Sequence, residues 1–195
     1  MKIVFASNNQ HKVDEIRSAL PESFLIVTLA EAGIDIDIPE PHDTLQDNAA
    51  EKAKTIYQLL KTNCFSEDTG LEVYALNNEP GVLSARYAGE EKSFEKNIDK
   101  LLVKLKNFEN RTARFRTVIC LILDGKQYFF EGVCEGEITG EKTGIQGFGY
   151  DSVFKPFGSD KTFAEMSISE KNRFSHRKKA TDKLVAFLNK LPHIA

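Results

Sequence analysis

The hydrophobic residues of this chain form short continuous runs in some places and helically spaced sets in others. Residues 2–6 consist of one lysine and four apolar residues, and their β-branched and aromatic side chains predict a short buried strand. Val13, Ile16 and Leu20 then fall on one face of a helix that Pro21 ends. The chain therefore starts with a strand followed by a helix.

A second helix is predicted after an irregular segment. An extended run at 24–29 leads into the loop 34–41, where two prolines exclude a helix. We expect Asp43 to cap the next helix, with Gln46 as its capping-box partner and an end near residues 62–63. Its buried stripe consists of Leu45, Ala49, Ala53, Ile56 and Leu60.

The second half of the chain also combines predicted strands and helices. Residues 64–66 predict a short strand that ends at a polar glycine turn, 67–70, before alternation resumes at 71–75. A helix is predicted around 94–105, and a hairpin of strands 113–123 and 127–138 is joined by Asp124-Gly125. A glycine-rich stretch and a helix with Ala180, Leu184, Phe187, Leu188 and Leu191 follow. The pattern predicts an α/β protein with a mixed sheet.

Composition narrows the class of protein. The 195 residues are 41% hydrophobic, which fits one domain or one elongated domain with two lobes. With 26 Lys and Arg against 29 Asp and Glu, the net charge of -3 argues against a nucleic-acid partner but permits free nucleotides. No apolar run approaches the roughly 18 residues of a membrane span, and the first strand is too short for a signal peptide. We therefore expect a cytoplasmic protein without a membrane partner.

The cysteines indicate neither a disulfide framework nor a zinc site. There are three, Cys64, Cys120 and Cys134, and no two of them are close in sequence. We interpret them as buried free thiols.

A first candidate site lies where the first strand meets the first helix. A helix N-terminus offers unpaired backbone N–H groups to a phosphate, and a lysine in the first turn would add a full charge. The residues are Ser7, Asn8, Asn9, Gln10, His11 and Lys12. Ser and Asn are also ordinary helix caps, so the pattern alone leaves both interpretations open.

A second candidate site is the acidic segment Glu67-Asp68-Thr69-Gly70, which we expect to be exposed. Glu40, between two prolines, could join Asp68 around Mg²⁺, which takes one or two carboxylates and completes its shell with water and phosphate oxygens. The alternative is a solvated acidic turn without chemistry.

A third candidate site combines aromatic, acidic and basic residues near the last helix. Such a set suits a nucleotide, which has a planar base and phosphates to hold. The residues are Phe148, Gly149, Tyr150, Asp151, Lys171, Ser175, His176 and Arg177. Each residue also has a structural explanation, such as a tight turn, a helix start or surface charge.

Together these segments resemble one family, the inosine and xanthosine triphosphate pyrophosphatases, which remove deaminated purine nucleotides. The match covers nearly the whole chain in order. Its blocks are residues 7–12, 67–70, 80–87, 147–151 and the C-terminal set 164–166, 170–172 and 175–177. One departure is Asn8, which stands where the family often has glycine.

The resemblance implies a fold and an activity. It implies a single domain over residues 1–195, an elongated mixed-sheet fold with two lobes around a central cleft, and a homodimer. The implied reaction is Mg²⁺-dependent hydrolysis of ITP, dITP or XTP to the monophosphate and pyrophosphate.

The resemblance also implies roles for particular residues. Asp68 looks like the general base and a metal ligand, and Glu40 looks like the second metal ligand. The segment 7–12 looks like a triphosphate cradle, with Lys12 and Lys171 as phosphate cations and Thr69 as a substrate contact. Phe148, Gly149, Tyr150 and Asp151, with His176 and Arg177, look like the base pocket. Asn48 and Lys52 could also face the site.

Two alternatives to this function remain at the level of sequence. One is a pyrophosphatase that acts on other modified nucleoside triphosphates, such as pyrimidines. The other is a nucleotide-binding module without catalysis, which would not need Asp68 and Glu40 together with a phosphate cradle.

Overall fold

The computed structural model describes residues 2–191, which contain seven strands, five α-helices and three short 3-10 helices. The strands are β1 (Lys2–Phe5), β2 (Leu25–Thr28), β3 (Cys64–Val73), β4 (Glu79–Gly81), β5 (Thr112–Leu123), β6 (Lys126–Ile138) and β7 (Phe154–Pro156). The helices are α1 (Gln10–Ala19), α2 (Leu45–Leu60), α3 (Phe94–Lys104), α4 (Ile168–Asn172) and α5 (His176–Leu188).

The strands form one mixed sheet in the order β2-β1-β3-β5-β6-β7, and β4 pairs with β3. β1 runs parallel to β2 and to β3, whereas the β3–β4 and β6–β7 pairs are antiparallel. The predicted hairpin turn is confirmed, because Asp124 and Gly125 both have positive φ, 49° and 79°, as a type I′ hairpin turn requires. The predicted α/β class with a mixed sheet is confirmed.

The described chain divides into two compact units, each assembled from separate segments. The first unit contains the residues up to Asp68, Thr117–Gly132 and the residues from His176 onward, and the second contains Thr69–Arg116 and Val133–Ser175. No helix in the described residues is both long and apolar enough to cross a membrane.

The first unit has two hydrophobic clusters. In one, Val13 and Ile16 of α1 pack with Phe5 of β1 and Leu184 of α5. In the other, Ala49, Ala53 and Ile56 from the buried stripe of α2 pack against the strands β3 and β5. Cys64 of β3 and Cys120 of β5 belong to this second cluster. Burial raises the pKa of Cys64 and of Cys120 to about 12, and all three cysteines are free thiols, as predicted.

The second unit has its own core beneath α3. Ile98, Leu101 and Leu105 lie in one cluster with Phe115 and Phe154, whose rings meet edge to face at 4.7 Å between centroids. Such pairs add stability beyond the area that they bury, and this one joins β5 to β7.

The start of α2 differs from the prediction. Its N-cap is Thr44, whose hydroxyl accepts a hydrogen bond from the backbone N–H of Asp47 at 3.0 Å, so the prediction of Asp43 with Gln46 is wrong by one position. Leu45 is the first buried residue of the helix, and the cap directly precedes it. The helix ends at Leu60, and its C-cap Lys61 has a left-handed backbone with φ 52°.

β3 is also longer than predicted. The strand continues through residues 67–70, where we expected an exposed turn, and Glu67 and Asp68 are only 2% and 5% exposed. Gly70 allows this, because a Cβ there would lie 2.6 Å from the carbonyl oxygen of Gly81 on β4. The glycine marks a close approach of two strands instead of a turn.

The elements β4, β7 and α4 were not predicted. They are three to five residues long, and such short elements carry too few positions for a periodic pattern.

Candidate active site

Two carboxylates and a lysine meet in the first unit, and we call them the carboxylate–lysine site: Glu40, Lys52 and Asp68. The ammonium of Lys52 lies 2.5 Å from Oε1 of Glu40 and 3.1 Å from Oδ1 of Asp68. The side chain of Lys52 is 10% exposed and that of Asp68 is 8% exposed. The structure thus brings together the two predicted metal ligands and places Lys52, which was expected to face the site, between them.

Three different segments supply this site. Asp68 lies on β3, Lys52 on α2, and Glu40 in the loop that precedes α2. α2 approaches β3 closely because its facing residues, Ala49 and Ala53, are small and fully buried. Ser66 of β3 also donates a hydrogen bond to the carbonyl of Ala49, so the helix and strand are held together beside the site.

Burial governs the charges of the site. Burial raises the pKa of the Asp68 carboxyl above its ordinary value; the charge of Lys52 opposes this effect and that of Glu40 adds to it. Burial alone would lower the pKa of Lys52, but Asp68 and Glu40 outweigh it and hold that pKa above its ordinary value. Asp68 is therefore a stronger base than an exposed carboxylate, beside a lysine that stays charged.

The preceding residue, Glu67, belongs to a different network. Its carboxylate is paired with Lys12 of α1 at 3.0 Å and accepts a hydrogen bond from Nε of Arg177 at 2.8 Å, and Arg177 also pairs with Glu15. Burial alone would raise the pKa of Glu67, but Arg177 and Lys12 lower it to about 2. Glu67 is thus a fixed negative charge that ties α1 and α5 to β3.

The segment 7–12 is a cap as well as a candidate cradle. Asn9 is the N-cap of α1 and accepts from the backbone N–H of Lys12 at 3.2 Å, while Ser7 accepts from the N–H of Asn9. Asn8 donates to the carbonyl of Ile36 and is not among the described residues with positive φ, so it does not need the backbone freedom of glycine. Gln10 and His11 are exposed in the first turn of α1, and their role in binding substrate stays a prediction.

A second group of candidate residues lies in the second unit. The carboxylate of Asp151 accepts hydrogen bonds from the backbone N–H of Phe148 at 2.9 Å and from Nζ of Lys171 at 2.6 Å. That ammonium lies 5.5 Å from the centroid of the Phe148 ring. Gly147 is required here, because its φ is 75° and a Cβ would lie 2.1 Å from Oδ2 of Asp151. Lys171, predicted to contact phosphate, is therefore placed beside Phe148.

Phe148 borders a pocket of about 290 Å³ that also lies within the second unit. Phe94 and Ile98 of α3 line the pocket, and the rings of Phe94 and Phe148 are 6.1 Å apart between centroids. Gly149 is another lining residue. The hydroxyl of Tyr150 donates to the carbonyl of Ser84 at 2.9 Å and the residue is 3% exposed, so its visible role is to hold the segment 80–87.

Three predicted residues remain: His176, Arg177 and Thr69. Arg177 and His176 start α5 in the first unit and are 1% and 2% exposed, so the structure groups Arg177 with Glu67 and Glu15. Thr69 follows Asp68 on β3 and is partly exposed. Their predicted contacts with substrate stay predictions.

The carboxylate–lysine site also fits a magnesium ion. The described residues contain no cluster of three or more His, Cys, Asp or Glu side chains suited to a metal. Mg²⁺ nevertheless needs only one or two carboxylates when phosphate oxygens and water complete its shell. Glu40 and Asp68 already share one cation, the ammonium of Lys52.

Sequence reasoning missed Glu15. Its only signal in the sequence is a carboxylate between the apolar positions Val13 and Ile16 on the buried face of α1. A buried carboxylate requires a partner, and that partner, Arg177, is 162 residues away along the chain.

Comparison with known proteins places these residues in a family context. Residues 3–187 match the model of the Ham1 family. A Flavobacterium johnsoniae protein named dITP/XTP pyrophosphatase is 54% identical over 188 residues, covering 96% of this chain and 98% of that protein. A Porphyromonas gingivalis protein with the same name is 50% identical over 96% of this chain and 97% of that protein.

Solved structures agree with the sequence comparison. The Ham1 protein of Staphylococcus aureus superposes with a TM-score of 0.87 at 42% identity, covering 97% of this chain and 98% of that chain. A HAM1 protein of Coxiella burnetii superposes with a TM-score of 0.89 at 34% identity, covering 98% of this chain and 100% of that chain.

Proposed function

Because this chain belongs to the Ham1 family, we propose that it hydrolyses deaminated purine nucleoside triphosphates, dITP, ITP and XTP, to the monophosphate and pyrophosphate. It is a nucleoside-triphosphate pyrophosphatase, a hydrolase that removes these nucleotides from the pool. Relatives named dITP/XTP pyrophosphatase match this chain over nearly its full length.

The observation that best supports this reaction is the carboxylate–lysine site. Release of pyrophosphate breaks the α–β anhydride bond, so a water molecule must be deprotonated next to a highly charged triphosphate. Asp68 has the raised proton affinity of a general base, and Lys52 supplies a positive charge beside it. Lys12, at the N-terminal turn of α1, adds a further cation that can neutralise phosphate charge.

The proposed cofactor is Mg²⁺, with Glu40 and Asp68 as its protein ligands. When bound, it would neutralise phosphate charge and polarise the anhydride. Positioning and charge neutralisation account for most of the catalysis in phosphoryl transfer, and these residues are arranged for both.

The proposed base site is the group around Phe148 in the second unit. Phe148 offers a ring on which a purine can stack, and Lys171 places a hydrogen-bond donor at the same ring. We also propose that the enzyme works as a homodimer in the cytoplasm.

A product assay tests the proposed function. The purified chain is incubated with dITP, ITP, XTP, the four common ribonucleotides and modified pyrimidine triphosphates, and pyrophosphate and orthophosphate are measured separately. We expect the monophosphate and pyrophosphate from dITP, ITP and XTP only when Mg²⁺ is present.

Other outcomes would contradict the proposal. Preferred hydrolysis of a modified pyrimidine would favour the alternative substrate class. Nucleotide binding without turnover would favour a binding module, and orthophosphate with a diphosphate as the main products would assign a different reaction.

A further inference from the structure

Asn48 makes a two-point contact with the loop that carries Glu40. Its Oδ1 accepts a hydrogen bond from the backbone N–H of His42 at 2.9 Å, and its Nδ2 donates to the carbonyl of the same residue at 3.0 Å. Asn48 itself is 1% exposed, whereas His42 is half-buried, so the two hydrogen bonds lie at the edge of the buried region. The oxygen and the nitrogen of its amide therefore both bind the backbone of a single residue.

This contact lies very close to Glu40 along the chain. His42 is two residues beyond Glu40, and Glu40 itself stands between Pro39 and Pro41. Each proline fixes its own φ, and each restricts the residue before it to an extended conformation. Few torsions are left free between the fixed backbone of His42 and the carboxylate of Glu40.

The helix that carries Asn48, α2, also carries Lys52 of the carboxylate–lysine site. Asn48 and Lys52 are one turn apart on α2, and Lys52 contacts both Glu40 and Asp68. A helix is stiff over one turn, so α2 fixes the distance between the backbone at His42 and the ammonium that the Glu40 carboxylate faces.

We propose that Asn48 is a positioning residue that holds the Glu40 carboxylate opposite Asp68, and that it thereby sets the affinity of the site for a divalent cation. The inference rests on the proposed function in one respect, that Glu40 and Asp68 are the magnesium ligands. Residues that orient metal ligands by hydrogen bonds typically change metal affinity by about 10- to 100-fold when replaced.

The chemistry of the contact makes asparagine specific at this position. An aspartate has the same shape but cannot donate to the carbonyl of His42, and a glutamine is one methylene too long for both hydrogen bonds. An alanine would remove the partner of the N–H and of the carbonyl of half-buried His42, and the loop would move so that water could hydrate them.

The test measures cation binding to the free protein, without nucleotide, so that it does not depend on turnover. The probe is Mn²⁺, whose unbound fraction is read by electron paramagnetic resonance. We expect Asn48→Ala and Asn48→Asp to weaken Mn²⁺ binding at least about tenfold relative to the wild-type chain. Glu40→Gln, which removes a ligand, gives the reference for a lost carboxylate.

Thr44→Ala is the matched structural control. Thr44 caps the same helix and follows the same loop, but its hydroxyl bonds Asp47 and not His42. We expect this variant to lower thermal stability while its Mn²⁺ affinity stays within about twofold of the wild type. If Asn48→Ala fails to fold, Asn48→Asp, which keeps the size of the side chain, is used alone to test the effect on Mn²⁺ affinity.

A second readout separates positioning from catalysis. With dITP as substrate, excess Mg²⁺ is expected to restore most of the turnover of Asn48→Ala but not that of Asp68→Asn. Wild-type Mn²⁺ affinity in both Asn48 variants, or no Mn²⁺ binding to the wild-type chain, would overturn the inference. Failure of the wild-type chain to release pyrophosphate would instead overturn the proposed function.

Discussion

Two neighbouring carboxylates on β3 have opposite environments. Successive residues of a strand point to opposite faces of the sheet. Glu67 meets Arg177 and Lys12, which lower its pKa to about 2, whereas burial raises the pKa of Asp68. One residue is therefore a permanent anion in a structural network, and the next is a base that can take up a proton.

This difference predicts the effect of Asp68→Asn. The substitution keeps the size and most of the hydrogen bonding of the side chain but removes the base, so kcat with dITP should fall on the order of 10²- to 10⁴-fold with little change in the melting temperature. Steady-state kinetics and thermal unfolding measure the two effects.

Asp37→Asn is the control for Asp68→Asn, because Asp37 is an exposed carboxylate in the loop before Glu40. Its activity should equal that of the wild-type chain. Near-wild-type turnover in Asp68→Asn would remove that residue from the role of base.

At the scale of elements, periodicity predicted the long helices and the hairpin well. The buried stripe of α2 and the Asp124-Gly125 turn follow from local spacing and turn chemistry, which are properties of the chain segment itself. The cap at Thr44 and the continuation of β3 through Gly70 were missed. The second of these depends on the neighbouring strand β4, which comes later in the sequence, so no local pattern could show it.

The close approach at Gly70 predicts the effect of Gly70→Ala. Its methyl group would lie 2.6 Å from the carbonyl oxygen of Gly81, and backbone atoms cannot move aside as a flexible side chain can. We expect the free energy of unfolding to fall by about 1–3 kcal/mol, measured by urea denaturation.

Gly140→Ala is a suitable control, since a Cβ at Gly140 would meet no atom within 4 Å. It should leave the free energy of unfolding unchanged to within about 0.5 kcal/mol. If Gly70→Ala and Gly140→Ala had the same free energy of unfolding, the backbone of β4 would have to move aside to accommodate the methyl group at position 70.

At the scale of the whole molecule, the sequence predicted the residues of the site better than their contacts. The ordered blocks pointed to Asp68 and Phe148, and the setting of Glu40 between two prolines pointed to a second carboxylate. It did not show that Lys52 lies between the two carboxylates, or that Arg177 pairs with Glu67 and Glu15. Those contacts join segments far apart in the chain, and spacing within a segment carries no information about them.

The position of Lys171 predicts how the enzyme distinguishes purines. An ammonium only donates hydrogen bonds, so it suits the 6-oxo group of inosine and xanthine and opposes the 6-amino group of adenine. We expect kcat/KM for ITP to exceed that for ATP by at least about tenfold, and Lys171→Met to narrow this ratio. Equal kcat/KM for ITP and ATP in the wild-type chain would contradict this role.

Because the first unit is assembled from segments far apart in the chain, a newly made chain can complete this unit only late in its synthesis. Glu67 leaves the ribosome 110 residues before Arg177, its buried partner, and α5 follows the whole second unit. A buried carboxylate without its guanidinium is strongly destabilising, so the first 68 residues cannot assume their final packing during early translation. The carboxylate–lysine site, which contains the next residue, Asp68, is therefore expected to reach its final packing only after α5 has been synthesised, so partly made chains should not hydrolyse dITP.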